Sequence, residues 1–349
     1  MGVPAIVTAG DSRAAKAVYG KSKVYLELDG LPLVAHVVRT LQSVPEVDAV
    51  WVVGDLAKLE VALGWPALRA SLTKPLHLVA QQRDLISNAW ETYRRVLSND
   101  VRVGRDPGPE DLDREILYLS GDLPLATPQE ISAFVKAAQA RVEAGQADYV
   151  LGLCPADALE AFRATTPGEA GIDVAYFNTR DGRLRQNNLH YARPARIGRL
   201  DRIEEMYEHR HQRRFWNMFK LAFRLLLDRV GGLKIAVLFG VMHLAGIADR
   251  SGRRRIARWL GRLVTLEINR KTIARLLDTK FVFVVTESGG CALDVDTEEE
   301  YDAMQARFAE WSAAQRARSE RLFGALPERL ADAGSAGWEH DSRREGSAS

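Results

Sequence analysis

Cysteine is scarce in this chain. Of 349 residues only Cys154 and Cys291 are cysteines. One such pair makes no disulfide framework and lacks the Cys-x-x-Cys spacing of a zinc site, so a reducing, cytoplasmic setting is expected. Membrane-length apolar runs are lacking as well. Leu233 to Ala248 is apolar except for Lys234 and His243, but it is sixteen residues long, short of the roughly 20 that a helix needs to cross a bilayer. The opening residues, Met1-Gly2-Val3-Pro4-Ala5-Ile6-Val7, carry no basic region and no signal-length apolar core, and they read as the start of a strand rather than an export signal. His209 and His211 stand two apart on an expected helix, so they do not share a face and make no metal site.

What is present is the composition of a folded globular protein, 46% hydrophobic and 27% charged, which excludes disorder as the default. The charge is unevenly spread. Between Arg193 and Lys280 there are 21 Lys/Arg against 8 Asp/Glu, a net +13 in a chain of net +2, which leaves −11 for the remainder. Such asymmetry marks a segment with its own role.

The organising stretch is Ile116-Leu117-Tyr118-Leu119-Ser120-Gly121-Asp122-Leu123-Pro124, continuing to Pro128. An apolar run of strand length ends in Ser-Gly, exposes one carboxylate, and restarts as a helix behind Pro128, whose missing N–H costs nothing there. Asp122 is thereby set at the carboxyl end of an expected central strand, the edge at which open α/β sheets bind ligands. A carboxylate so placed suits a divalent cation, while an Asx-turn is the competing structural reading.

Earlier in the chain, Pro4 to Thr8 forms an apolar strand running into Ala9-Gly10-Asp11-Ser12-Arg13. A glycine there lets backbone amides approach a phosphate closely. Lys16, Lys21 and Lys23 follow, then Val24 to Leu28, an Asp29-Gly30 turn, a helix over Leu33 to Leu41 and a strand over Ala49 to Val53, a β-loop-α-β unit. Together, Val7-Thr8-Ala9-Gly10 with Arg13, then Lys23 and Leu28-Asp29-Gly30-Leu31-Pro32-Leu33, resemble the start of the MobA-like NTP transferases, which are nucleotidyltransferases of glycosyltransferase-A-like fold. Gly121-Asp122-Leu123-Pro124-Leu125 with Pro128 reproduces the family's Gly-Asp-x-Pro-Leu hallmark. Asp11-Ser12 stands where a second glycine is usual, and Ser22 where a proline often precedes the lysine.

The resemblance implies a Rossmann-like α/β fold, a mixed and mostly parallel sheet with helices on both faces. It implies Mg²⁺ held by Asp122 and by Asp296, the Asp before Thr in Asp294-Val295-Asp296-Thr297, with Asp294 as second choice. It also implies a phosphate loop of Ala9, Gly10, Asp11, Ser12 and Arg13, with Lys23 and Arg13 acting beside Asp122 in catalysis. Arg83, Ser87 and Asn88 become contacts to the nucleotide, and Asn188 in Gln186-Asn187-Asn188-Leu189 lines the acceptor. The plainer reading of the Arg83–Asn88 stretch is that Asp84 caps a helix and Asn88 lies on its solvent face. Adjacent Asn187 and Asn188 on a strand point to opposite faces, so only one of them fits the acceptor role. Thr297 with Glu300 reads as a capping box opening a last helix.

The nucleotidyltransferase domain is expected over 1–195 and 280–325, with a helical basic insertion over 196–279 and a disordered tail over 330–349. Within the insertion, Phe215, Met218, Phe219, Ala222, Phe223 and Leu226 make one apolar stripe flanked by cations, followed by Arg253-Arg254-Arg255-Ile256-Ala257-Arg258-Trp259. A helical subdomain packed on the sheet and a peripheral membrane contact through 213–262 both fit this pattern, the latter placing the protein at the inner face of the membrane. Nucleic acid is not expected as a partner, because no aromatics interleave with the cations on a sheet. The function implied is transfer of a nucleoside monophosphate from an NTP to a phosphorylated small-molecule or lipid-precursor acceptor. A glycosyltransferase of the same fold and a non-catalytic nucleotide-binding protein are the alternatives.

Overall fold

The computed structural model describes residues 2–11, 17–166, 168–199 and 232–326. Its elements in chain order are β1 (Val3–Ala9), β2 (Ala17–Val18), β3 (Lys21–Ser22), β4 (Glu27–Leu28), β5 (Leu31–Pro32), α1 (Leu33–Gln42), β6 (Val47–Gly54), α2 (Leu56–Leu63), α3 (Pro66–Ala70), β7 (Leu76–Ala80), α4 (Leu85–Ser98), β8 (Ile116–Ser120), α5 (Pro128–Glu143), β9 (Tyr149–Pro155), β10 (Phe177–Thr179), β11 (Gly182–Ala192), α6 (Gly232–Arg250), α7 (Arg254–Gly261), α8 (Leu266–Leu277), β12 (Phe281–Val285) and α9 (Glu298–Phe323).

Eight strands form one sheet in the order β12-β9-β11-β8-β1-β6-β7, with β10 paired to β11. The expected fold class is the one observed. β1 pairs in parallel with β6 and β8, β6 with β7, and β12 with β9, while β11 runs antiparallel to β8 and β9. The central strand β1 is almost wholly buried because both faces are covered, which is why its sequence is a continuous apolar run instead of an alternation. On one face Ala5 and Val7 join residues of α1, α2 and α5 in the largest core cluster; on the other, Ile6 joins Trp51, Val79 and Tyr93 of α4.

Local chemistry sets the helix starts. The Asp84 side chain accepts from Ser87 N at α4, and Thr127 caps α5 with Pro128 in its first turn. Thr297 and Glu300 form the expected capping box on α9. Asp29 and Gly30, at φ 52° and 73°, make the two-residue turn between β4 and β5.

Because β11 alone reverses among the strands of the main path, the carboxyl ends of β1, β8, β9 and β12 and the start of β11 share one edge. Lys23, the Gly121-Asp122 turn and the segment carrying Asp294 and Asp296 gather there. α8 packs on β12, and α6 and α7 pack on each other and on β10. Asp173 to Asn178 alternates like a strand, yet only Phe177 to Thr179 pair. Ile172, Val174 and Tyr176 are buried in a second core against Leu159, Phe162 and Trp311, so the alternation reflects packing without a ladder. Ser12 and Arg13, the Phe215–Leu226 stripe, His209, His211 and the tail over 330–349 lie outside the described residues.

Candidate active site

Asp122 follows directly from the end of β8, where Gly121 N donates to Thr8 O of β1 at 2.9 Å and locks the turn to the central strand. The sequence suggested an exposed carboxylate. The structure buries Asp122 completely, because Lys23 closes over it. One Asp122 oxygen accepts from Ser120 Oγ and the other is ion-paired with Lys23 Nζ. The same ammonium donates to Asp296 Oδ1 at 2.6 Å, so two aspartates distant in sequence meet over one cation. Lys23 itself opens a 3-10 turn behind the β2–β3 hairpin. That hairpin is tied to α9 through Tyr19, whose hydroxyl donates to Asp302 Oδ2 at 2.8 Å.

Asp294 completes the cluster. Asp122, Asp294 and Asp296 each offer a carboxylate oxygen, all within 4.8 Å of one another. Arg185 on β11 holds Asp294 with Nη2–Oδ1 at 2.7 Å and donates from Nε to Ala292 O at 2.7 Å. Glu300 accepts from Asp296 N at 2.7 Å, so the capping box of α9 also fixes the backbone of this aspartate. Asp294 and Asp296 lie outside any strand, so their convergence comes from these tethers and not from strand alternation.

The electrostatics are those of a cation-seeking site. Burial disfavours the Lys23 ammonium, but Asp122, Asp296 and Asp294 outweigh it and hold its pKa above the ordinary lysine value. Burial and the charge of Asp122 push the Asp294 carboxyl up, with Arg185 pulling the other way. With every carboxylate ionised, three aspartates against Lys23 and Arg185 leave a formal charge of −1. Three carboxylate oxygens within 4.8 Å of one another are the hard donors that Mg²⁺ takes, and Lys23 Nζ stands against two of these aspartates, Asp122 and Asp296.

Beside this cluster, Gly10 ends β1 against Asn88: a Cβ at Gly10 would stand 3.2 Å from Asn88 Nδ2. Asn88 is buried and its Oδ1 accepts from Gln82 N, which removes the solvent-face reading of this residue. Ser87 is engaged in the Asp84 cap, while Arg83 is exposed and paired with Asp84. Asp11 donates its backbone N–H to Gln81 Oε1 at 2.7 Å and pairs with Lys58. On β11, Asn187 is buried with Nδ2 donating to Thr286 Oγ1 at 3.1 Å, and Asn188 adopts φ 53° at an irregularity in the β9 pairing and is half-buried. Asn187 is therefore a structural tie between β11 and Thr286.

No family model matches the chain, and no curated protein matches it. Among solved structures, a hypothetical transferase from Thermus thermophilus is similar at 21% identity and a TM-score of 0.50, over 86% of this chain and 99% of that one. That likeness shows a shared fold. A CMP:2-keto-3-deoxy-manno-octonic acid synthetase complexed with CTP follows at 13% identity, TM-score 0.43, over 88% and 98%. A 4-diphosphocytidyl-2C-methyl-D-erythritol synthase from Anaerococcus prevotii follows at 12% identity, TM-score 0.42, over 88% and 96%.

Arg185, Gln81, Lys58 and Ser120 were not singled out from the sequence. Their signal is tertiary, since each acts on a residue far away in the chain or across a turn. Arg185 stands two from Arg183 on β11, and only its pairing with Asp294 distinguishes it.

Proposed function

We propose that this chain is a Mg²⁺-dependent nucleotidyltransferase of the MobA-like kind, transferring a nucleoside monophosphate from an NTP to a phosphorylated acceptor with release of pyrophosphate. The observation that carries this reading is the meeting of Asp122, Asp294 and Asp296 around Lys23 at the carboxyl edge of the sheet. In the transfer, an acceptor phosphate oxygen bonds to the α-phosphorus while the bond to the bridging oxygen breaks and its electron pair leaves with pyrophosphate. A phosphate nucleophile is ionised at neutral pH, so no general base is required and the protein's work is alignment and charge neutralisation.

Asp122 and Asp296, with Asp294 beside them, would hold the ion, which when bound polarises phosphoryl oxygens as a Lewis acid. Lys23 is already desolvated and directed at these carboxylates, so it is placed to balance the triphosphate. Ala9, Gly10, Asp11, Ser12 and Arg13 would form the phosphate loop. Arg83, Ser87 and Asn88 would border the nucleoside, and Asn188 the acceptor, a small molecule or lipid precursor reached from the cytoplasm at the inner face of the membrane.

A thermal-shift panel of the NTPs with Mg²⁺ tests the reading. At about 100 times its Kd, a ligand that binds only the native state stabilises it by about 2.7 kcal/mol. One NTP is expected to raise the midpoint in wild type and to lose most of that shift in Asp122→Asn, which keeps the shape of the side chain and removes its charge. No stabilisation by any NTP, or an undiminished shift in Asp122→Asn, overturns the assignment.

A further inference from the structure

No helix among the described residues is long and apolar enough to cross a membrane. The helices between β11 and β12 nevertheless expose apolar side chains in ordered rows. On α7 and just beyond it, Ile256, Trp259 and Leu263 recur at spacings of three and four with exposures of 49%, 62% and 58%. Ala257 and Gly261 are the buried side of the same helix, and a Cβ at Gly261 would stand 3.0 Å from the Asn178 carbonyl, so the packed face and the free face are distinct. On α6, Val237, Leu244 and Ile247 repeat the pattern while Ala245 and Ala248 are buried.

Along the chain, the charge carried by this row has one sign. Positions 251–266 contain Arg253, Arg254, Arg255, Arg258 and Arg262, all exposed, and no acidic residue. The acids beside it among the described residues are already occupied: Asp249 pairs with Arg183 at 2.9 Å, Glu267 pairs with Arg270 at 2.6 Å, and Asp181 accepts from Leu266 N.

One strand ties these helices and the carboxylate cluster together. Arg183 and Arg185 stand two apart on β11 and share a face, one anchoring α6 through Asp249 and the other anchoring Asp294. The hairpin turn is fastened to the helices as well, with Arg180 N donating to Val264 O at 2.8 Å and Leu266 N to Asp181 Oδ2 at 2.7 Å.

We propose that the α6–α7 pair docks the protein on an anionic lipid bilayer, with Ile256, Trp259 and Leu263 entering the headgroup region and the arginines against anionic headgroups. An exposed indole between apolar neighbours and ringed by cations matches an interfacial surface. A nucleic-acid backbone would satisfy the arginines but leave the apolar row in water. The proposal does not rest on the nucleotidyl-transfer reading.

The test is flotation of the full chain with phosphatidylcholine vesicles, alone or with about 30% phosphatidylglycerol, at about 50 and 500 mM salt. Two variants accompany it, Trp259→Ala/Leu263→Ala and Arg254→Glu/Arg255→Glu/Arg258→Glu. Glutamates at 254 and 255 suit the first turn of α7 and Arg258 is exposed in its last, and an unchanged thermal midpoint checks that folding is retained. Wild type is expected to float with anionic vesicles at low salt only. Losing one arginine lowers partitioning about fivefold, so the triple reversal removes at least a hundredfold, and the Trp259/Leu263 variant weakens the low-salt binding. Absence of flotation, equal binding to neutral vesicles, variants that float like wild type, or displacement from vesicles by a short nucleic-acid duplex each overturns the proposal.

Discussion

Among the described residues, no cation pairs with the Glu130 carboxyl group. It lies in the first turn of α5, fully buried, and accepts from Cys291 N at 3.3 Å and from Gln315 Nε2 at 3.3 Å. Burial pushes its pKa from 4.5 up to about 7, with the hydrogen bond from Cys291 N only partly offsetting this. Since the folded value exceeds the unfolded one, the stability it contributes is complete below about pH 4.5 and is lost as pH rises through about 7. At about 1.36 kcal/mol per unit, that shift amounts to about 3 kcal/mol. Glu130→Gln keeps the size and the acceptor oxygen while abolishing the titration. Denaturant unfolding of both proteins is expected to show the variant gaining about 3 kcal/mol on wild type between pH 4 and pH 8. A difference that stays flat with pH would refute the reasoning, because other titrating groups cancel in the comparison.

Lys23→Met leaves Asp122 and Asp296 facing each other without their shared ammonium, a loss of about 3 kcal/mol from depriving the buried Asp122 of its partner. Millimolar Mg²⁺ is expected to recover part of that stability; superimposable melting curves in Mg²⁺ and in chelator would show that the three carboxylates do not take a cation. Gly152→Ala drives a Cβ into the Asn187 amide that sits between β9 and Thr286. The expected cost is about 1 to 3 kcal/mol, partly recovered when Asn187→Ala is added, and a cost under about 0.5 kcal/mol would mean that the close approach carries no weight.

The β-loop-α-β start, the apolar strand ending at Asp122 and the capping box at Thr297 were legible in the chain, because each is a local pattern whose physics lies within a few residues. The boundaries of β1, α1, β8, α5 and α9 follow from apolar period and cap chemistry alone. The alternation before Thr179 would suggest a longer strand than the one that pairs, since alternation records burial and does not reveal whether a partner strand is present. Local reading also took Asp122 for an exposed group, because nothing near it in sequence announces that Lys23, 99 residues earlier, covers it.

By itself, then, the sequence determined which stretches become strands and helices and which acids and bases are candidates for chemistry. Tertiary structure decided which of them meet. The reversal of β11 brings Arg185 to Asp294, and the closure of the sheet by β12 delivers Asp294 and Asp296 to Asp122. Charges so far apart in the chain interact only after folding has removed the water between them, so their pairing is written in the packing of the sheet and not in any local run of residues.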